Sequence, residues 1–179
     1  MSANSIKVAS ILLLLFSALI AQSSAQATTN DIFSIVNQRL SICTQVAQIK
    51  QIKGLAVTNE KQERVVLQKA QATAHQFGLD PTSVIKFTQA LIISCKQIQT
   101  DYLNANHSLR KAPSLIELRA QLADINQQLF KKLSDLLAKN HLAMDSYHLF
   151  EKQVADLNLT TTNLKQLFNA LIEISKINK

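Results

Sequence analysis

Three polar side chains fall on helical stripes that are otherwise apolar. Arg39 sits between Val36 and Cys43, and Lys50, eleven residues and about three turns later, returns to the same face. Gln99 lies four residues past Cys95 on a second such run, again on its inner side. Burying charge without a partner is costly, so cations on a packed face need a reason. A guanidinium fork, a compact ammonium and a neutral amide donor, with no acid beside them, suit one small carboxylate ligand. The alternative is that Arg39 snorkels to the end of the bundle and Lys50 is solvated near its helix terminus.

Other chemistries find less support. His75, His107, His141 and His148 are dispersed, and there is no CxxC and no Cys/His cluster, so no metal site is expected. The formal charge of +7 favours an anionic partner. Yet the cations are scattered, in runs no longer than Arg110-Lys111 or Lys131-Lys132. Trp is absent and aromatics are only 5%, which leaves little to stack on bases. A nucleic-acid partner is therefore not expected.

The elements that must hold these residues are helices. With 2 Gly and 2 Pro in 179 residues, the chain lacks the turn chemistry of a sandwich, barrel or α/β sheet. Hydrophobic content of 47% excludes a disordered chain. The expectation is all-α: a single-domain bundle of about six helices. Before it stands a leader. Lys7 precedes the apolar run Val8 to Ile20, too short to span a bilayer comfortably, and Ala25-Gln26-Ala27 has the form of a cleavage site. Residues 1–27 read as a signal peptide, residues 28–179 as the helical domain. Export, to a periplasm or outside the cell, and no membrane association after cleavage follow from that reading.

The first helix is expected from about Asp31, capped by Asn30 or Asp31, to Lys53, with Gly54 as its stop. The second starts near Asn59 or Glu60 and ends at Gly78. Asp80-Pro81 opens a third, to about Leu103, as an acidic N-cap followed by Pro. Ser114 can cap a fourth, striped by Leu118, Leu122, Ile125, Leu129 and Leu133. Two shorter helices are expected at about 142–157 and 161–177.

At this level of detail the chain resembles the all-helical chorismate mutases, in particular their exported subclass. The pieces that carry the resemblance are Arg39-Leu40 with Lys50, Asn59-x-x-Gln62-Glu63, Ala74-x-x-x-Gly78-Leu79-Asp80-Pro81, and Lys96-Gln97-Ile98-Gln99. They cover about residues 31–135, with 136–179 as a helical extension. The resemblance implies the rearrangement of chorismate, a dicarboxylate, to prephenate, with no metal or cofactor. It assigns Arg39 to a carboxylate, Lys50 to the ether oxygen and a carboxylate, Gln99 to the ether oxygen and Glu63 to the ring hydroxyl. Cys95 takes the place of a small hydroxyl residue that contacts a carboxylate.

Where the family has Asp and Arg on the second helix, this chain has Asn59 and Gln62. The arginine expected on the fourth helix falls at Gln128. Lys61, Arg64, Arg119 or Lys132 could supply replacement charge, and Lys132, one turn past Gln128, is best placed to do so. These departures keep a second reading open: a non-catalytic or degenerate exported binding or effector protein on the same scaffold. A homodimer also stays open. On the family's arrangement Cys43, one turn past Arg39, faces the same space as Cys95, so the two sulfurs should approach. Either a bridge or two buried thiols would satisfy that.

Overall fold

The computed structural model describes the backbone of residues 3–105, 113–139 and 144–177, and the side chains of 28–105, 113–139 and 145–177. Among the described residues six α-helices follow in order: α1 (Ala3–Lys53), α2 (Glu60–Gln76), α3 (Pro81–Asn104), α4 (Leu115–Leu137), α5 (Tyr147–Gln153) and α6 (Thr161–Ile172). Single 3-10 turns at Met144–Ser146 and Ala155–Leu157 flank α5. Among the described residues no helix is long and apolar enough to cross a membrane. The expected leader, residues 1–27, lies outside the described side chains.

Local chemistry sets most of these boundaries. At the start of α2 the Asn59 side chain accepts from the Gln62 N–H at 2.9 Å, and Glu63 accepts from the Asn59 N–H at 3.3 Å. Two donors with no partner inside the helix are thereby satisfied. Ser114 and Glu117 form a full capping box on α4. Asp80 caps α3 with Pro81 in the first turn. Helix α2 ends at Gln76, two residues before the expected Gly78. Gly78 lies just beyond the end with φ +65, and its N–H donates to His75 while that of Leu79 donates to Ala74. That is the Schellman arrangement, which needs a left-handed residue after the helix.

Two boundaries differ from expectation. Helix α1 runs straight through Asn30 and Asp31, so neither caps it; nothing in that stretch breaks a helix. The C-terminal region is more broken than its apolar stripe implies. The helix expected at 142–157 is a short α5 between 3-10 turns, and Asn158, in a left-handed conformation, ends the second turn. Helix α6 stops at Ile172 rather than near 177. Beyond it the chain pairs with the α2–α3 connection: the Asp80 N–H donates to Ser175 and the Ile177 N–H to Gly78. An extended connection offers unpaired backbone groups, and satisfying them outweighs another helical turn.

Helix α1 packs against both α3 and α4, and α3 in turn packs on α2 and α6. The main core joins Val36 and Leu40 of α1 to Leu91 of α3, Leu129 and Leu133 of α4, and Leu167 of α6. At one end Phe33, Phe150 and Phe168 cluster, with the Phe33 and Phe150 ring centroids 5.2 Å apart and edge-on. A smaller cluster of Ile42, Ile49, Leu118 and Ile125 locks α1 to α4 near the other end. Cys43 and Cys95 form a disulfide, with Cα atoms 5.4 Å apart, that ties α1 to α3. Its sequence separation of 52 corresponds to about 4 kcal/mol of loop-closure stabilisation.

Gly78→Ala tests the α2 stop. A Cβ there would meet nothing within 4 Å, so the cost is backbone strain alone. The expected loss is about 1–2 kcal/mol, seen as a lower melting temperature with an unchanged helical signal. An unaltered melting temperature would refute the left-handed stop.

Candidate active site

Between α1, α2, α3 and α4 the bundle leaves a cavity of about 270 Å³. Helix α1 contributes Arg39, Val46 and Lys50, and the connection to α2 contributes residues 55–58. Helix α2 adds Asn59, Gln62 and Glu63; α3 adds Cys95, Lys96 and Gln99. Helix α4 closes it with Leu115, Leu118, Arg119 and Leu122. The lining therefore holds four cations, Arg39, Lys50, Lys96 and Arg119, against one carboxylate, Glu63.

Arg39 is buried, 4% exposed, on the same stripe as Leu40 and Cys43. Its Nε donates to Asn126 Oδ1 of α4 at 2.9 Å, while Nη1 has no partner among the described residues. Burial pushes its pKa down to about 10, so the guanidinium is still charged at neutral pH. A buried cation with an unused donor and no acid is poised for an anion from outside the chain.

Lys50 is held from the other direction. Its Nζ donates to the carbonyl of Val57, in the connection that lines the cavity. Partial burial lowers its pKa, Glu63 opposes that shift, and the charges of Lys96 and Arg119 add to it. Glu63 itself is raised by desolvation, but the hydrogen bonds from Lys96 and from the Asn59 backbone outweigh this and hold it below its ordinary value. Its carboxylate lies 2.8 Å from Lys96 Nζ. The one acid of the cavity is thus already engaged on the wall.

Gln99, also 4% exposed, points its amide nitrogen at Cys95 Sγ, 3.1 Å away, and its Oε1 has no partner among the described residues. The sequence therefore brings Arg39, Lys50, Asn59, Gln62, Glu63, Cys95 and Gln99 to one cavity.

Gln128 is the exception, and its expected place is corrected. It is exposed and lies outside the lining. Helix α4 turns Leu118, Ile125, Leu129 and Leu133 inward, which leaves Gln128 on the outer side. Lys132 is not the replacement charge either: it pairs with Asp31 at 2.7 Å, where both are well exposed. Arg64 leans on Glu60 at the surface, and Lys61 is exposed. The fourth-helix cation at the cavity is Arg119. It shares a face with Leu115 and Leu122, four residues before and three after, and that spacing was the available signal. Lys96 was visible only as part of a motif.

A larger groove, about 790 Å³, runs on the far side of α3 between α2 and α6. It lies on the outer surface, includes the already paired Glu63 and Lys96, and lacks buried cations.

Comparison with known proteins agrees with this geometry. Residues 22–100 match the family model of chorismate mutase type II. The chain is 26% identical over 160 residues to a monofunctional chorismate mutase of Enterobacter agglomerans, covering 87% of this chain and 88% of that one. It is 25% identical over 146 residues to a secreted chorismate mutase of Yersinia pestis, covering 78% of each. Among solved structures, the secreted chorismate mutase from Yersinia pestis superposes with a TM-score of 0.73 at 22% identity, covering 81% of this chain and 97% of that one. Chorismate mutase from Burkholderia thailandensis gives 0.63 at 23% identity, covering 80% and 96%. The fold is shared with these enzymes.

Arg39→Met separates the two roles of the buried guanidinium. Replacing an acid-free buried cation by an apolar side chain of similar length is expected to stabilise the chain by about 1–3 kcal/mol in denaturant unfolding. The sign with pH follows. The folded-state pKa is lowered, so above about pH 10 the unfolded state holds more protons than the folded one. Wild-type stability then rises relative to Arg39→Met, and the gap between them narrows. A variant less stable at neutral pH would contradict this account.

Proposed function

We propose that this chain is a member of the all-helical chorismate mutase family and rearranges chorismate to prephenate in the cavity between α1, α2, α3 and α4. One observation carries the proposal: Arg39, Lys50 and Gln99 converge with Arg119 on a space whose single carboxylate is already paired. A volume of about 270 Å³ suits one small dianion and no polymer.

The reaction needs no group of the protein to change its bonding. The ether C–O bond of the substrate breaks while a C–C bond forms within the same molecule. Negative charge gathers on the ether oxygen as this happens. The task of the site is to hold the reactive conformer and to stabilise that oxygen. Arg39 and Arg119 would each clamp a carboxylate, and Arg39 Nη1 is free to do so. Lys50 and Gln99 would donate to the ether oxygen. Gln99 is neutral and Lys50 cationic, so neither must lose a proton for the step. Glu63, on the α2 wall, would accept from the ring hydroxyl. Asn59 and Gln62 sit where the family carries charge, and their neutral amides bind more weakly. The same two residues support a second reading, a binding protein on this scaffold without turnover.

We further place the protein outside the cytoplasm, with residues 1–27 removed. The relative named as secreted and the disulfide both support this. The mass of the exported chain should correspond to a start at Thr28.

The test is loss of chorismate absorbance on adding purified protein. Lys50→Ala should lower kcat by about a hundredfold or more, with the fold intact. Arg119→Ala should lower kcat/KM by about ten- to a hundredfold, whereas Gln128→Ala should leave it unaltered. Melting-temperature rise with chorismate but no turnover would favour the binding protein. Full activity in Lys50→Ala would sink the assignment.

A further inference from the structure

The wall of the cavity carries a covalent bond that the rearrangement itself does not use. Cys95 lines the cavity from α3, and its sulfur is joined to Cys43 of α1. The Gln99 amide nitrogen lies 3.1 Å from that same Cys95 sulfur. Gln99 is buried, and its amide oxygen has no partner among the described residues. A single contact therefore decides which end of the amide faces which way.

The chemistry of sulfur makes that contact directional. A disulfide sulfur carries no hydrogen and can only accept, whereas a thiol can also donate. Against the closed bridge, only the NH2 end of Gln99 can face the sulfur. Its second hydrogen is then the one available to an oxygen in the cavity. Against a thiol both ends can face the sulfur, and the donor no longer has one fixed place. The bridge also anchors Cys95 to α1 one turn past Arg39, so the contact cannot drift away from the cation that would hold the substrate.

We propose that the Cys43–Cys95 bridge is the positioning element of the Gln99 amide, so that the rearrangement runs at full rate only while the bridge is closed. This rests on the reading of the cavity as a chorismate mutase site. Opening it takes a dithiol such as dithiothreitol. The S–S bond breaks, two electrons and two protons pass to the sulfurs to give two thiols, and the reagent closes into its own cyclic disulfide.

The test compares steady-state turnover of chorismate by the oxidised and reduced chain, with bridge opening checked by thiol titration. Reduction should lower kcat about tenfold while KM moves less than about twofold, and reoxidation should restore the rate. Two bridge-free variants separate positioning from cross-linking, because both lack the covalent tie. Cys43→Val/Cys95→Val offers the amide no acceptor and should match the reduced chain. Cys43→Val/Cys95→Met offers a thioether sulfur, which like the disulfide carries no hydrogen and only accepts, and should recover kcat by about threefold or more over the valine pair. Circular dichroism at the assay temperature reports the fold, and the pair of variants decides the matter even if the reduced chain loses its helices. Equal kcat in the two variants, or a recovery confined to KM, overturns the inference. An oxidised wild type without turnover overturns the reading of the cavity and this inference together. An active wild type whose rate ignores reduction overturns the inference alone.

Discussion

One buried guanidinium organises this molecule. Arg39 sits among packed side chains with no acid beside it, held by Asn126 and left with an unused donor. Such a group works against folding, because its hydration is lost and nothing in the chain fully replaces it. The bundle must therefore be stable enough to carry it. The Phe33, Phe150 and Phe168 cluster, the α1–α4 contacts around Leu118 and the tie between α1 and α3 all surround the helix that bears it. A site of this kind is the opposite of an optimised core, and the difference is what suits it to a small anion.

The other polar groups show how a low-dielectric cavity keeps its charges apart from one another. Glu63 is paired with Lys96 and with its own helix start, and it reaches Lys50 only as a nearby charge. Lys50 is tied to the Val57 carbonyl, a neutral partner that leaves its charge in place. The N-terminal cap of α2 does two jobs at once. It satisfies donors of the helix, and it holds Asn59, Gln62 and Glu63 on the cavity wall. Structural chemistry and site chemistry share the same atoms there.

Much of this was legible in the sequence. Period and caps located both ends of α2 and α3 and the start of α4 to within two residues, since Asn59, Asp80-Pro81, Gly78 and Ser114 act through bonds only a few residues long. The inward faces of Arg39 and Gln99 were visible too, because a helix repeats its face at fixed steps. The C-terminal region was less legible. Its stripe continues past Ile172, but the backbone there pairs with residues 78–80, nearly a hundred positions away in sequence.

The sequence by itself thus determined an all-helical chain and the pairing of Arg39 with Lys50 on one helix face. Those features depend on rotation about a single axis. Only the tertiary structure decided which face of α4 meets that axis. It placed Arg119 at the cavity, left Gln128 outside and gave Lys132 to Asp31. It also decided that Cys43 and Cys95 are joined and that Gln99 leans on the bond between them. The relative rotation and depth of two packed helices come from the fit of many side chains at once. No spacing along one chain segment encodes that fit.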